Sequence, residues 1–463
     1  MLVPPTPVEH QRPDLDAAID VVKAAFASHN IHDSLVAIER TGRYHQVTQR
    51  AFAAANFETR ILHPFATKQY RQPSDPGNKT DDTDLVAIFR AAVNGFALRE
   101  AEWDVSWRNL QLLVRHRRDL VGKCSSLCCQ IREHLDAALP GLAECFGKLW
   151  DSAVAWHLIR QFPTATAVQQ AGLAGLAASL RAAAIRFQTP TLEAVLAWSQ
   201  RAAQPEPTAP IQYRLGLALN DDRLRKAQEI QALERDIAHA LARTPYILLL
   251  SHPGVNVISA ADFAGEMGPI EHYANARAIT GRAGLFPSRY QSDEVDKANG
   301  PLVRSCNRRL RAAIMGIADN LIRCNQYFRA MGGRWRLAGK DPRHTHVKIA
   351  FRFCRIAYQI VAGRQVFRHP CLQGRGYILD KLSAFHVAHG TPSNEVLEDL
   401  QSALQQIPVK EYHAEAQPLA EQLQNAQKGR KGPQLLADIL PIVLARLGVG
   451  SIQSTESGAA DLN

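Results

Sequence analysis

Nothing in the 463-residue sequence approaches the roughly 20 uninterrupted apolar residues that a membrane-spanning helix needs. The opening, MLVPPTPVEHQRPDLD, lacks the basic-then-apolar pattern of a secretory leader, so a cytoplasmic location is expected. Its eight cysteines include no CxxC pair, which excludes the common zinc-finger spacings, and they show no framework like that of small secreted domains. Reduced, mostly buried thiols are expected instead. No HExxH, GxSxG or P-loop run occurs, so the chemistries those signatures carry find no support.

What is present is positive charge. Lys and Arg number 54 against 44 Asp and Glu, a formal charge of +10, on an otherwise ordinary background of 46% hydrophobic and 21% charged residues. An excess of this size favours a polyanionic partner, because Lys and Arg contacts to phosphate are its usual use, although a merely basic cytosolic protein carries the same balance.

Periodicity divides the chain. LDAAIDVVKAAFASH, after Asp14, has helical spacing; DSLVAIE (Asp33 to Glu39) is a short apolar run ending on an acid, as in a buried parallel strand. YHQVTQRAFAAA reads as a helix, FETRILHP (Phe57 to Pro64) as a second strand stopped by proline, KQYRQPSDPGNK as a polar loop, and TDDTDLVAIFRAAV as a capped helix. Strand, helix, strand, helix predicts an α/β domain over residues 1–98. Residues 99–245 then read as a helical region broken by a linker at 204–210 (QPEPTAP). In it NDDRLRKAQEIQALERDIAHALAR alternates in charge on a heptad-like pattern, as a coiled-coil stalk or an exposed bundle helix does. Residues 246–368 form a basic helical unit, and 369–463 a helical extension with a tail of disordered composition.

Two constellations carry candidate chemistry. Glu39 closes its strand at the carboxyl end, where open α/β sheets place their sites. Asp81 and Asp84, three apart at a helix start, project from one face, and three such carboxylates can hold Mg²⁺, a hard ion that wants oxygen ligands. Equally, Asp81, Asp82 and Asp84 suit the N-terminal turn of a helix through its dipole. The second block runs from His252 to Met315. His252-Pro253-Gly254-Val255, opening a small-residue helix, is like the first half of a helix-hairpin-helix, whose Gly254 turn presents backbone N–H groups to a phosphate. Ser292 follows in a loop. Next come Arg304, Asn307, Arg308 and Arg311, where Arg308 and Arg311 are neighbours able to clamp phosphate, or simply a solvated basic face. His344 and His346, without a third ligand nearby, face phosphate or solvent.

These segments resemble one family. IERTGRYH is similar to the E-x-T-G-x-Y segment of insertion-sequence transposases of the 110 family, the DEDD/serine transposases, and KTDDTD to their K-T-D-x-x-D-A element, with Leu85 for Ala. Gly284-Leu285-Phe286-Pro287 and Gln291-Ser292 resemble G-L-x-P and Q-S-G, with Asp293 in place of Gly, and Arg304 to Arg311 resembles K-x-G-N-x-x-L-R. DPRHTHVKIAFRFCRIAYQIV matches the closing helix. The resemblance covers about residues 14–368 and implies a ribonuclease-H/RuvC-like α/β domain, then a helical and coiled-coil middle and a helix-hairpin-helix-like C-terminal domain. It implies Glu39, Asp81 and Asp84 as metal-binding acids for Mg²⁺ and Ser292 as nucleophile. It also implies donor and target DNA, a noncoding bridge RNA and a tetramer as partners. The family's first strand, with G-I-D-x-[SG]-K, has no clear counterpart: Asp20 in AIDVVK reads as a helix-surface residue, so either a start upstream or a copy without its first strands is expected. A RuvC-like junction nuclease and an inactive nucleic-acid-binding relic are the alternative readings.

Overall fold

The structure, a computed structural model, describes residues 2–72, 77, 79–100, 103–292, 295–297, 300–367 and 377–408, with the backbone alone at 290–292, 295–297 and 377. The chain divides into two compact units at residues 102/103.

Unit one is a small α/β unit. Helix α1 (Arg12–His29) carries Pro13 at its second position and Asp14 in its first turn, and ends at Asn30 in the left-handed conformation. Its buried face is Leu15 and Ile19, one turn apart, and Asp20 is exposed, as expected of a helix-surface residue. Strands β1 (Val36–Glu39) and β2 (Thr59–Leu62) pair in parallel, Val36 opposite Thr59 through Glu39 opposite Leu62. Parallel neighbours need a crossover, which α2 (His45–Ala54) supplies. Pro64 ends β2 as expected. It also starts a helix, α3 (Pro64–Arg71), because a missing N–H does no harm at the first position and the His63 ring accepts from the Phe65 amide at 3.1 Å. The polar loop expected from residue 68 is therefore partly helical. Helix α4 (Asp81–Val93) begins at Thr80, whose hydroxyl and that of Thr83 form a reciprocal capping box. The core is slight: Leu62, Ala66, Ala91 and Ala97.

Unit two is built on two long helices. α5 (Val105–Ala138) and α9 (Ala209–Ala242), of 34 residues each, are about 50 Å long at 1.5 Å per residue. They run antiparallel: Arg117 pairs with Glu234 at 2.6 Å near one end and His134 meets Gln212 near the other. The charge-alternating segment thus finds a partner within its own chain. Between them α6 (Ala153–Gln161), α7 (Ala165–Ala182) and α8 (Thr189–Arg201) close a core around Ile131, Ile159, Leu176, Leu180 and Leu192.

The opposite ends of α5 and α9 enter a second core. It includes the 3-10 helix Pro245–Ser251, α10 (Val257–Met267) and α11 (Ala276–Arg282). A short antiparallel hairpin follows, β3 (Tyr290–Ser292) with β4 (Val295–Lys297), then α12 (Arg308–Cys324), α13 (Gln326–Leu337) and α14 (Pro342–Ala362). The extension is not separate from this unit. α15 (Tyr377–Ala388) and α16 (Ser393–Gln406) bury Ile378, Leu382, Val396 and Leu400 in the same core. The helices expected beyond residue 408 and the tail lie outside the described residues. No helix among the described residues is long and apolar enough to cross a membrane.

Candidate catalytic acids and nucleic-acid interface

The acids of unit one lie where the sequence puts them along the chain, but they do not make an ion site. Glu39 ends β1 half-buried, and Asp81 is exposed in the first turn of α4, which packs against both strands. Asp84, one turn on, is ion-paired with the guanidinium of Arg71 from α3, both largely shielded from solvent. Among the described residues no group of three or more His, Cys, Asp or Glu side chains is placed to hold a metal. As arranged, Glu39, Asp81 and Asp84 do not fit a divalent cation: a fixed positive charge already answers one of the three, and a guanidinium and a metal ion compete for the same oxygens.

In unit two Ser292 is the last residue of β3, its backbone opposite Val295, while Asp293, the departure from the family pattern, lies outside the described residues. The hairpin is anchored on its approach. The Ser288 amide and hydroxyl both donate to the Pro301 carbonyl, at 2.9 and 3.0 Å, and the Val303 amide to Phe286 O at 3.1 Å. Gly284 turns there at φ +59 with no room for a side chain, since an added Cβ would fall 2.4 Å from the Arg311 guanidinium.

Asn307 and Arg311 hold this loop in place. The Asn307 side-chain oxygen Oδ1 accepts from the Arg309 and Leu310 amides and caps α12, and its side-chain Nδ2 donates at 2.9 Å to Glu266. Arg311 donates to the carbonyls of Ala283 at 2.8 Å and Gly284 at 3.0 Å, and also to Val303. A guanidinium spent on three carbonyls is not the free half of a phosphate clamp, so the expected pairing of Arg308 with Arg311 is replaced: Arg311 shapes the loop, and Arg304 and Arg308 are the exposed cations.

Glu266, which sequence reasoning passed over, is the hub behind that loop. It is 2% exposed and accepts from Nε and Nη2 of Arg115 on α5, at 2.8 and 2.9 Å. Burial alone would push its carboxyl up, but the donors Arg115 and Asn307 hold it below the ordinary glutamate range. Beside it, burial raises Asp262 against the pull of Arg118, which also donates to the Arg309 carbonyl at 3.1 Å. Two acids, Asp262 and Glu266, inside the mostly apolar VISAADFAGEM were the available signal, since a buried charge requires a partner.

Gly254 turns the chain at φ +94 against α12, where an added Cβ would stand 2.9 Å from Leu321 Cδ2. Its loop is tied down by Lys381 of α15, whose ammonium donates to the carbonyls of Leu250, His252 and Val255 at 2.9, 3.0 and 2.5 Å. Asn256 then caps α10.

A turn-and-helix element, an anchored serine hairpin and an arginine-rich helix start thus follow an acidic α/β unit in one chain. A family model for DEDD transposases, described as Transposase, matches residues 5–140, and one described as Transposase IS116/IS110/IS902 family matches residues 246–332. The chain belongs to the IS110 transposases. As such a transposase it is a DNA-cutting recombinase in general class, with DNA as substrate. The first match contains Glu39, Asp81 and Asp84, and DEDD transposase domains typically use a divalent metal. The second contains Gly254, Ser292, Arg304, Asn307, Arg308 and Arg311; α14, α15 and α16 of the transposase lie beyond it. Comparison with curated proteins finds no match.

Proposed function

We propose that this transposase moves an insertion sequence by cutting and rejoining DNA through Ser292. The Ser292 hydroxyl attacks a backbone phosphorus and one strand end leaves, giving a serine–phosphate ester; a strand-end hydroxyl later displaces the serine and restores the phosphodiester. The attacking oxygen gives its proton to a base and the departing oxygen regains one, so no net oxidation occurs. Arg304 and Arg308 neutralise phosphate next to the serine hairpin. The observation that supports the reading is the second family match, whose residues 246–332 include Ser292 and the loop before it that Arg311 holds by its carbonyls.

A ribonuclease-H/RuvC-like fold for unit one, a bridge RNA that selects the DNA, a tetrameric assembly and Mg²⁺ as the ion of the acidic domain complete the proposal by resemblance. The acids as arranged make no ion site, so no step above is routed through a metal. The Arg71–Asp84 pair favours one competing reading, a copy that binds nucleic acid without cutting it.

Ser292→Ala tests the proposal on a labelled duplex bearing the element's ends. Wild type is expected to yield a covalent protein–DNA species resistant to denaturant, and the variant none. Cleavage that survives in the variant would assign hydrolysis by a junction nuclease, and absence of any cleavage by wild type would assign the binding-only relic.

A further inference from the structure

Helices α13 and α14 carry positive charge with almost no acid to answer it. Between residues 320 and 367 there are ten Lys and Arg and a single acid, Asp341. That acid is already committed, since its carboxylate accepts from the Arg343 amide at 2.6 Å and caps α14. Arg334, Arg336, Lys340, Arg343 and Lys348 are all exposed, and among the described residues none of them forms an ion pair; nearby Asp319 pairs with His346 instead, at 2.9 Å.

Two of these cations converge. Lys340, in the α13–α14 turn, and Lys348, in the second turn of α14, bring their ammonium groups to the indole of Trp335, 5.8 and 5.6 Å from the ring centre. Trp335 is half-buried and packs its body on the core, so it fixes where both lysines rest. Contact with Lys340 holds the Lys348 ammonium below the ordinary lysine range. Two like charges gathered on one ring repel, and an anion between them turns that repulsion into attraction.

We propose that Trp335, Lys340 and Lys348 form a docking site for the phosphate backbone of duplex DNA, with Arg334, Arg336 and Arg343 extending it along the hairpin. The site rests on the DNA-transposase reading and adds to it a surface beyond the matched family segment, which ends at residue 332. Duplex is favoured over single strand because the site pairs two ammonium groups on one half-buried indole, a cluster of charge rather than a row of open aromatic faces for stacking bases. Duplex DNA also presents the denser line of phosphates.

The test is binding of the full chain to a fluorescent duplex, followed by anisotropy across a salt series. Replacing both lysines (Lys340→Gln with Lys348→Gln) is expected to reduce the slope of log K against log salt by about 1.8, two contacts at about 0.9 each, and to weaken binding at 0.1 M salt by more than about 10-fold. The double Lys→Arg variant is expected to restore the slope, and both variants to keep the wild-type melting temperature. An unchanged slope in a folded glutamine variant would overturn the site while leaving the transposase reading intact. An equal drop on replacing the remote exposed Arg201 would also overturn it, by reducing the effect to net charge. So would loss of RNA-hairpin binding with duplex binding retained. Wild type that binds no duplex at all would remove both readings.

Discussion

Asn307 lies at the point where binding and stability give different forecasts. As a residue of the arginine-rich stretch it invites a contact with DNA, yet its side chain already caps α12 and donates to buried Glu266. Replacing it with alanine removes a helix cap, worth about 1 kcal/mol. It also removes a hydrogen bond to a charged carboxylate, worth about 1.5–3 kcal/mol. The lower end of that range applies because Arg115 still holds both Glu266 oxygens. Asn307→Ala should therefore cost about 2–3 kcal/mol, or roughly 5 °C in melting temperature for a unit of this size. Asn307→Asp keeps the cap oxygen but sets a second carboxylate against Glu266, so it should be no more stable than the alanine variant, although aspartate and asparagine cap equally well in isolation. Urea denaturation of the full chain, followed by tryptophan fluorescence, measures both. Duplex affinity at temperatures where the variants remain folded should change less than threefold. A variant with wild-type stability and greatly weakened DNA binding would refute the reasoning and return Asn307 to the interface.

Three further outcomes follow from the same packing. Gly254→Ala forces a left-handed residue and a contact with Leu321 at 2.9 Å, so a loss of about 3 kcal/mol is expected in chemical denaturation. Burial pulls the Lys381 ammonium down to about 7 from its ordinary 10.5, so the folded chain binds fewer protons than the unfolded chain between those values. Stability should rise with pH across that window, by at most about 1.4 kcal/mol per pH unit, and level off below about 7, where both states are protonated; Lys381→Met should remove this part of the slope in pH-dependent melting curves. Ending the chain at residue 367 removes Ile378, Leu382, Val396 and Leu400 from the core, and should abolish cooperative unfolding of unit two and bring on dye binding to exposed apolar surface.

Helix existence, the parallel strand pair and the order of the motifs were legible in the sequence. Each depends on local spacing, caps and prolines: Thr80 before DDTD, Pro64 after ETRILH, and the alternating apolar rows of α5 and α9. The identity of the candidate acids and of Ser292 was legible for another reason, since residue type and order along the chain survive without coordinates. Three things required tertiary structure, because each depends on which distant groups meet. Residue spacing could not disclose that Arg71 would neutralise Asp84, since the two sit on different helices brought together by packing. Nor could it disclose that Arg311 would spend its guanidinium on carbonyls of a preceding loop rather than on phosphate. Heptad charge pattern left open whether α9 would pair within the chain or beyond it, and complementary contacts along α5, from Arg117–Glu234 to His134–Gln212, decided for the former. Local sequence sets backbone preference at short range, whereas the partner of a charge is chosen by burial, which only the folded chain defines.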